Sequence, residues 1–402
     1  MKFALIKELK KTGDARVLFS PEQLAGVIKK YPEHQFVVQS SITRAFSDKE
    51  YRDLNILVVE NIDDADVLLG IKEVPLEALI PNKKYFFFSH TTKMQPHNRA
   101  YLEGLKKANI TFYDYENFIN KKGQRLISFG KNAGQIGAYQ AIRTYGLKNN
   151  LFKIPSPSKL TSFANLLAEV RKIKIPPIKI VVTGTGNVGR GIHEFLNLIG
   201  VEQIKSDAFI NENNLKPVFT QLSKKDYLID KETKSYNEVA FVKRPETFDS
   251  TFYKYAKKAD LLIAGHYHHT GMPLFFTKKE IRNKDFKINI IADISCDVHT
   301  PLPTCLRPST PSNPNYGYHK FHESESDFLD IDSIAIMAVD NLPCELPRAT
   351  SIDFGNQFID ELLEDLVNDL ESEKMQKACV LKNGMFTKAY AYLEAFLETN
   401  ES

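Results

Sequence analysis

The stretch IKIVVTGTGNVGRG, residues 178–191, decides how the chain is read. Its first half is a β-branched apolar run. Its second half sets Gly184, Gly186 and Gly189 in the spacing GxGxxG and leads into GIHEFLNLIG, helical by its apolar spacing. In that pattern one glycine makes the tight turn, the next lets backbone approach a pyrophosphate, and the third lets the helix lie close on its strand. The helix N-terminus then offers free N–H groups and a positive dipole end to the phosphates. Gly184, Thr185, Gly186, Asn187, Val188 and Gly189 are therefore the expected dinucleotide cradle. An acidic residue about twenty positions on is expected to take the adenosine ribose, and Asp207 is the candidate. A carboxylate there repels a 2′-phosphate, so NAD is the expected cofactor, with NADP left open. The plainer reading is a chance glycine turn with Asp207 merely solvated.

Outward from this turn, apolar runs alternate with helical patterns. Upstream lie FALIKE, QFVVQ, NILVVE, DVLLGIKE, KYFFFSH and ITFYDYE; downstream lie DLLIAG, NIIADIS and SIAIMAVD. Between them fall SPEQLAGVIKKY, with Ser20 as N-cap and Pro21 in the first turn, and QPHNRAYLEGLKKAN. NAGQIGAYQAIRTYGLKNN reads as a long helix with small residues on one face, and the tail carries two more helices, over GNQFIDELLEDLVNDLESE and FTKAYAYLEAFLE. Such alternation builds parallel, doubly wound sheets. The expected fold is α/β, with two Rossmann-like domains separated by a cleft and the first discontinuous in sequence. Residues 1–133 and 341–402 form the expected substrate domain and 134–340 the dinucleotide-binding domain. Residues 211–250 read as a polar insertion with a hairpin at its centre. Residues 298–328 show no obvious element, and a loop of that length is usually functional.

The totals exclude several classes. The 402 residues carry 53 basic and 50 acidic side chains, a formal net charge of +3, which leaves no footprint for nucleic acid or an anionic membrane. No run approaches a transmembrane span, and MKFALIKELKK is too short and too charged for a signal peptide. Cys296, Cys305, Cys344 and Cys379 lack CxxC spacing, so neither a disulfide framework nor a structural metal is expected. The expectation is a reduced, cytoplasmic protein, monomeric or dimeric, acting on a small molecule.

A second signal lies upstream. GIKEVP, residues 70–75, puts Lys72 and Glu73 directly after a buried run. One strand later FFFSHTTKMQP supplies His90, one further YDYENF supplies Glu116, and KGQRLISFG adds Arg125 and Phe129. Parallel neighbours would bring these to one sheet edge, where Lys and His beside carboxylates form an acid–base set. The plain alternative is a surface Lys–Glu pair and a histidine that only caps a core strand. The residues alone leave both open.

The order of longer phrases narrows this. KELKKTGDARVLFSPEQL, GIKEVP, SHTTKMQ, FYDYENFINKKGQRLISFGKNAGQIGA, GTGNVGRG, IADISCD and VDNLPCELPRATS together resemble the alanine dehydrogenase and pyridine nucleotide transhydrogenase superfamily. Within it the chain looks most like the lysine-forming saccharopine dehydrogenases and lysine–2-oxoglutarate reductase domains; the GGVPGV of alanine dehydrogenases is missing. The resemblance implies that Lys72 and His90 are the acid–base pair, with Glu73 and Glu116 setting their charge. It implies substrate contacts at Arg16, Lys93, Arg125 and Phe129, and cofactor contacts at Gln124, Asp297, Val339, Asp340, Asn341 and Leu342 besides the glycine turn and Asp207. The implied activity is NAD(P)-dependent interconversion of saccharopine with L-lysine and 2-oxoglutarate. A substrate with three carboxylates suits a site with several cations, and arginine clamps a carboxylate bidentately. Oxidative deamination of the alanine type, or dinucleotide sensing without turnover, are the other readings. AGHYHH, with His266, His268 and His269, departs from the pattern; lacking an acidic or cysteine partner nearby, it reads as a cofactor or substrate contact, His266 foremost, and no metal is expected. His299, His319 and His322 are expected to be solvated.

Overall fold

The computed structural model describes residues 1–9, 14–298 and 301–398. Backbone contacts divide the chain into two compact units, one of residues 1–129 and 347–402, the other of residues 130–346.

The first unit opens with six parallel strands: β1 (Lys2–Leu5), β2 (Gln35–Gln39), β3 (Leu57–Val59), β4 (Val67–Lys72), β5 (Lys84–Phe88) and β6 (Thr111–Asp114). In the sheet they run β6-β5-β4-β1-β2-β3. The chain starts at the centre, steps outward to β3, then returns to lay β4 to β6 on the other side. The winding therefore reverses between β1 and β4, where strand ends open a crevice. Both faces are covered: Phe3 and Leu5 enter one core and Ala4 and Ile6 the other. That is why these strands read as unbroken apolar runs rather than alternating ones. Helix Pro21–Lys30 starts where Ser20 and Gln23 cap each other reciprocally, and helix Arg99–Lys107 buries Leu102 and Leu105 on the opposite face.

The second unit contains β7 (Lys179–Thr183), β8 (Glu202–Gln203), β9 (Val218–Leu222), β10 (Leu228–Asp230), β11 (Phe248–Ser250), β12 (Leu261–Ala264), β13 (Ile290–Asp293), β14 (Asn315–His319), β15 (Glu325–Ser326) and β16 (Ser333–Met337). Eight of them form the sheet β15-β14-β16-β13-β12-β7-β9-β8, which reverses between β7 and β12; β10 and β11 pair separately and antiparallel. Two expectations are corrected. Residues 218–222 are not part of an insertion, because VFTQL pairs along the whole length of β7. The stretch 298–328 is not structureless, because NYGYH forms β14, antiparallel to β16. The small-residue face of helix Gly130–Lys148 lies against helix Asn187–Leu198 at backbone distance: a Cβ on Gly134 would stand 2.1 Å from the Val188 carbonyl, and one on Gly191 2.0 Å from that of Lys131.

The C-terminal segment then completes the first unit. Helix Pro347–Glu361 delivers Phe354 and Phe358 into the core of Phe3 and Phe19, and Phe354 stacks on Phe129 at 4.5 Å. The single helix expected over 355–373 is broken at Leu362 and resumes as Leu363–Asn368. Next, β17 (Cys379–Lys382) joins β6 antiparallel and turns through Asn383 (φ 50°) and Gly384 (φ 73°) into β18 (Met385–Phe386). An Asn-Gly turn with two positive φ angles is the tight hairpin form, so a hairpin takes the start of what the sequence suggested was a helix.

Candidate active site

In the first unit the expected acid–base residues follow the carboxyl ends of three adjacent strands. Lys72 is the last residue of β4, and Glu73, buried, comes next. His90 stands two residues past β5 with its backbone in the left-handed region, φ 58°. A non-glycine residue there costs about 1–3 kcal/mol and persists where the surroundings impose it. Here they do: Asn98 donates to the His90 carbonyl at 3.2 Å, and Ser89 and Thr91 on either side of His90 bond to each other at 2.7 Å. Ser89 in turn donates to Asp114 at 2.6 Å.

Glu116, after β6, gathers the charges. Its carboxylate, whose side chain is 4% exposed, lies 2.9 Å from His90 Nδ1 and 3.5 Å from Lys93 Nζ. Arg125 Nη2 donates to it as well. Burial pushes the Glu116 carboxyl up, but the close approach of His90 and the charges of Arg125, His90 and Lys93 outweigh it and hold the group at about 2. Asp114 is the opposite case: burial first, then the Glu116 charge, push its carboxyl up to about 6. It accepts the Glu116 N–H at 2.9 Å and so ties the loops after β5 and β6 together. Asp114 was not singled out from the sequence; its position on a buried strand end next to a Ser-x-Thr loop was the available signal.

The structure brings Glu116, His90, Lys93 and Arg125 into one cluster. Arg16, its side chain 1% exposed, is forked onto Asp14 at 3.0 and 2.7 Å and stacked 4.4 Å over the Phe129 ring. Asp14, missed by the sequence reading, occupies the bidentate face of Arg16 expected for a substrate carboxylate. Gln124 is exposed and closes its own turn, bonding Asn120 through backbone and side chain.

In the second unit the glycine turn follows β7. Gly184 has φ +95°, and a Cβ there would meet the Gly265 carbonyl at 2.4 Å; a Cβ on Gly189 would meet the Gly184 carbonyl at 2.1 Å. Gln221 of β9 donates to both Gly184 and Gly189 carbonyls at 2.8 and 3.0 Å and braces the turn. Gly186 differs: nothing lies within 4 Å of where its Cβ would be. Two glycines thus serve the fold, while the third leaves open space at the start of helix Asn187–Leu198, which fits a pyrophosphate. Thr185 is exposed there, and Asn187 and Val188 are half-buried.

His266 follows β12, next to β7 across the reversal. It is 6% exposed, and its Nδ1 lies 2.8 Å from Thr183 Oγ1, while Nε2 has no partner among the described residues. Burial, then the charges of His268 and Lys224, push the imidazole down to about 3, so it is neutral. Asp297, half-buried, follows β13, and Val339, Asp340, Asn341 and Leu342 follow β16, with Asp340 donating its N–H to the Ser309 carbonyl at 3.1 Å. These are again carboxyl ends of adjoining strands.

Asp207 is not brought to the glycine turn. It is exposed in helix Ser206–Asn211, which follows the outermost strand β8, and β9 lies between β8 and β7. Counting along the chain assumed that the next strand in sequence is the next in the sheet. The strand that adjoins β7 on this side is β9, and Ser223 and Lys224 follow it. Lys224 Nζ lies 2.9 Å from His269 Nε2 and 3.2 Å from Glu238. Of the loop histidines, His299 lies outside the described residues, His322 is exposed, and His319 accepts the N–H groups of Phe321 and His322. Among the described residues, His319, Asp330 and Asp332 place side-chain donor atoms within 4.8 Å of one another.

Comparison with known proteins agrees with this architecture. Residues 4–136 match the family described as alanine dehydrogenase/PNT, N-terminal domain. The mitochondrial alpha-aminoadipic semialdehyde synthase of Bos taurus is 27% identical over 446 aligned positions, covering 99% of this chain and 48% of that protein. The chain thus spans about half the length of the curated relatives it matches first. The saccharopine dehydrogenase [NAD(+), L-lysine-forming] of Yarrowia lipolytica is 22% identical, covering 81% of this chain and 83% of that one. A solved L-alanine dehydrogenase superposes with a TM-score of 0.64 at 15% identity, over 99% of this chain and all of that one. The backbone fold is therefore that of alanine dehydrogenase, two Rossmann-like units, the first discontinuous. Residues 4–136 thus match the alanine dehydrogenase/PNT N-terminal family, and the chain as a whole is similar to proteins of the saccharopine-dehydrogenase type.

Proposed function

We propose that the chain is an NAD(P)-dependent oxidoreductase that interconverts saccharopine with L-lysine and 2-oxoglutarate. The relatives support an amino-acid dehydrogenase-type oxidoreductase; the substrate pair is the proposal. Its strongest support is the cluster in which a buried Glu116 holds His90, Lys93 and Arg125 beside the strand that ends in Lys72.

The unit of residues 1–129 and 347–402 takes the amino acid, and that of residues 130–346 takes the dinucleotide at Gly184–Gly189, with His266, Asp297 and Val339–Leu342 around it. When bound, the dinucleotide accepts or donates the hydride. The chain's own residues move protons and hold carboxylates. In the oxidative direction one of Lys72 and His90 removes the secondary-amine proton as the substrate carbon gives up its hydride, leaving an imine. Water adds to that carbon, its proton passing through the same pair to nitrogen. The carbinolamine then passes its hydroxyl proton through that pair to nitrogen, the C–N bond breaks, and the nitrogen leaves as lysine's amine. One water is consumed and one proton released. Glu116, ionised at every physiological pH, keeps His90, Lys93 and Arg125 supplied with a counter-charge; Arg125 and Lys93 have further donors to offer a substrate carboxylate.

Because Lys224 rather than Asp207 follows the strand adjoining β7, NADPH is to be tried beside NADH. Purified protein is mixed with lysine, 2-oxoglutarate and each reduced dinucleotide while nicotinamide absorbance is followed. Consumption that requires both lysine and 2-oxoglutarate supports the proposal. Turnover with pyruvate and ammonia instead would replace it with alanine-type deamination, and binding without turnover with a sensor. The cytoplasm is the proposed compartment, supported by four free thiols among the described residues; no described helix is long and apolar enough to cross a membrane. Fractionation decides between the cytoplasm and the mitochondrion for which the Bos taurus relative is named. Sedimentation tests the expected monomer or dimer.

A further inference from the structure

Where β1 runs out, the chain continues beside β4: Ile6 donates its N–H to the Leu69 carbonyl at 3.1 Å. Two residues on, Glu8 meets the end of β4. One of its oxygens accepts the Ile71 N–H at 2.7 Å and the other the Lys72 N–H at 2.9 Å. This happens at the reversal of winding between β1 and β4. It also coincides with an irregularity in β4. Leu69 faces Phe86 on β5, yet Lys72 faces Phe88, so three steps on one strand oppose two on the other. A bulge of this kind turns successive N–H groups away from the ladder and re-aims the side chains after it. Gly70, within the bulge, has Ile6 and Glu8 against it: a Cβ would stand 2.9 Å from Ile6 Cδ1 and 3.6 Å from Glu8 Oε1.

We infer that Glu8 is a positioning residue, whose two carboxylate oxygens clamp the β4 bulge and thereby fix where Lys72 and Glu73 point. The inference rests on the proposed role of Lys72. A carboxyl suits this place because both its oxygens have lone pairs that accept, in the acid as in the carboxylate, whereas a glutamine would turn an NH2 group toward one of the two N–H groups. Burial foremost, with Asp14 adding, pushes the Glu8 carboxyl up to about 8. The two bonds of Glu8 are not visible in the phrase KELKK, because the partners lie more than sixty residues away.

The test uses Glu8→Gln and Glu8→Asp in the full chain, with two readouts. The first is amide hydrogen exchange at Ile71 and Lys72, which needs no activity: both amides are expected to exchange faster in Glu8→Gln than in wild type. The second is kinetics with lysine and 2-oxoglutarate. Glu8→Gln is expected to lower kcat by roughly 10²-fold, the order of loss that follows a small misplacement of a reacting group, with the dinucleotide KM unchanged. Glu8→Asp, which keeps the carboxyl and is too short to reach both amides, is expected to fall between the two, and it decides the matter if Glu8→Gln does not fold. Wild-type exchange or wild-type kcat in a folded variant would overturn the inference. A wild type inert toward lysine and 2-oxoglutarate would sink the proposed function by itself, and the exchange comparison would still decide whether the clamp exists.

Discussion

Replacing Glu116 with glutamine isolates the charge of the carboxylate from its shape. Glutamine is nearly isosteric with the protonated acid, so Glu116→Gln holds the site permanently in its neutral form. The folded carboxyl lies at about 2 against an ordinary 4.5. At about 1.4 kcal/mol per tenfold, that difference makes the ionised form worth roughly 3 kcal/mol more in the folded state. The side chain is 4% exposed, so solvent screens little of this. The sign follows from the depressed value: the contribution is present above about 4.5, fades as pH falls, and is gone below about 2. Wild type should therefore exceed Glu116→Gln by about 3 kcal/mol near neutral pH, with the gap closing toward about pH 2. Because two units need not unfold in one step, native-state hydrogen exchange at the amides of β5 and β6 is the assay, since it reports on the first unit alone. A gap below about 1 kcal/mol at neutral pH, or one that stays the same on acidification, would refute the account of Glu116 as counter-ion to three bases.

Four other outcomes are expected. Lys72→Met and His90→Gln should each cut turnover by about 10²-fold or more while leaving dinucleotide binding, measured by nicotinamide fluorescence, unchanged. Gly186→Ala should keep the wild-type melting temperature, because its Cβ meets nothing, yet weaken dinucleotide binding at least about tenfold, roughly 1.4 kcal/mol. Gly191→Ala should do the reverse in a calorimeter, losing about 2–3 kcal/mol of stability because its Cβ would press on the Lys131 carbonyl. His266, neutral when folded and held at about 3 against an ordinary 6.5, should cost the second unit stability as pH falls through that window, by up to about 1.4 kcal/mol per pH unit; urea titrations of His266→Asn should show that limb flattened.

Much of this architecture was legible in the sequence because it is written locally. The apolar runs of β1 to β7 and the glycine turn each need only a few consecutive residues to announce them. What escaped depended on partners far away or on a rule applied too loosely. The hairpin of β17 and β18 carried its own signal in Asn383–Gly384, which lies between the two helices expected in the tail. β14 alternates aromatic and small residues behind a proline-rich approach that suggested a loop. Asp207 failed by topology: the sheet threads β9 between β8 and β7. The strand-end cluster was half readable. The strand-end positions of Lys72, His90 and Glu116 follow from adjacent strands, but Asp114 and Glu8 act through bonds to residues that the chain brings near only after folding.

The return of residues 347–402 to the first unit has a consequence for how the chain is born. Until that segment leaves the ribosome, β6 has a bare edge where β17 belongs, and the Phe3–Phe19 core lacks Phe354 and Phe358. A nascent chain must carry this open sheet through synthesis of the entire intervening 130–346 unit, which has all its own strands and can close first. Assembly therefore proceeds from the middle outward, and a stop codon anywhere before residue 347 strands the amino-terminal sheet as an aggregation-prone edge, however intact its first six strands.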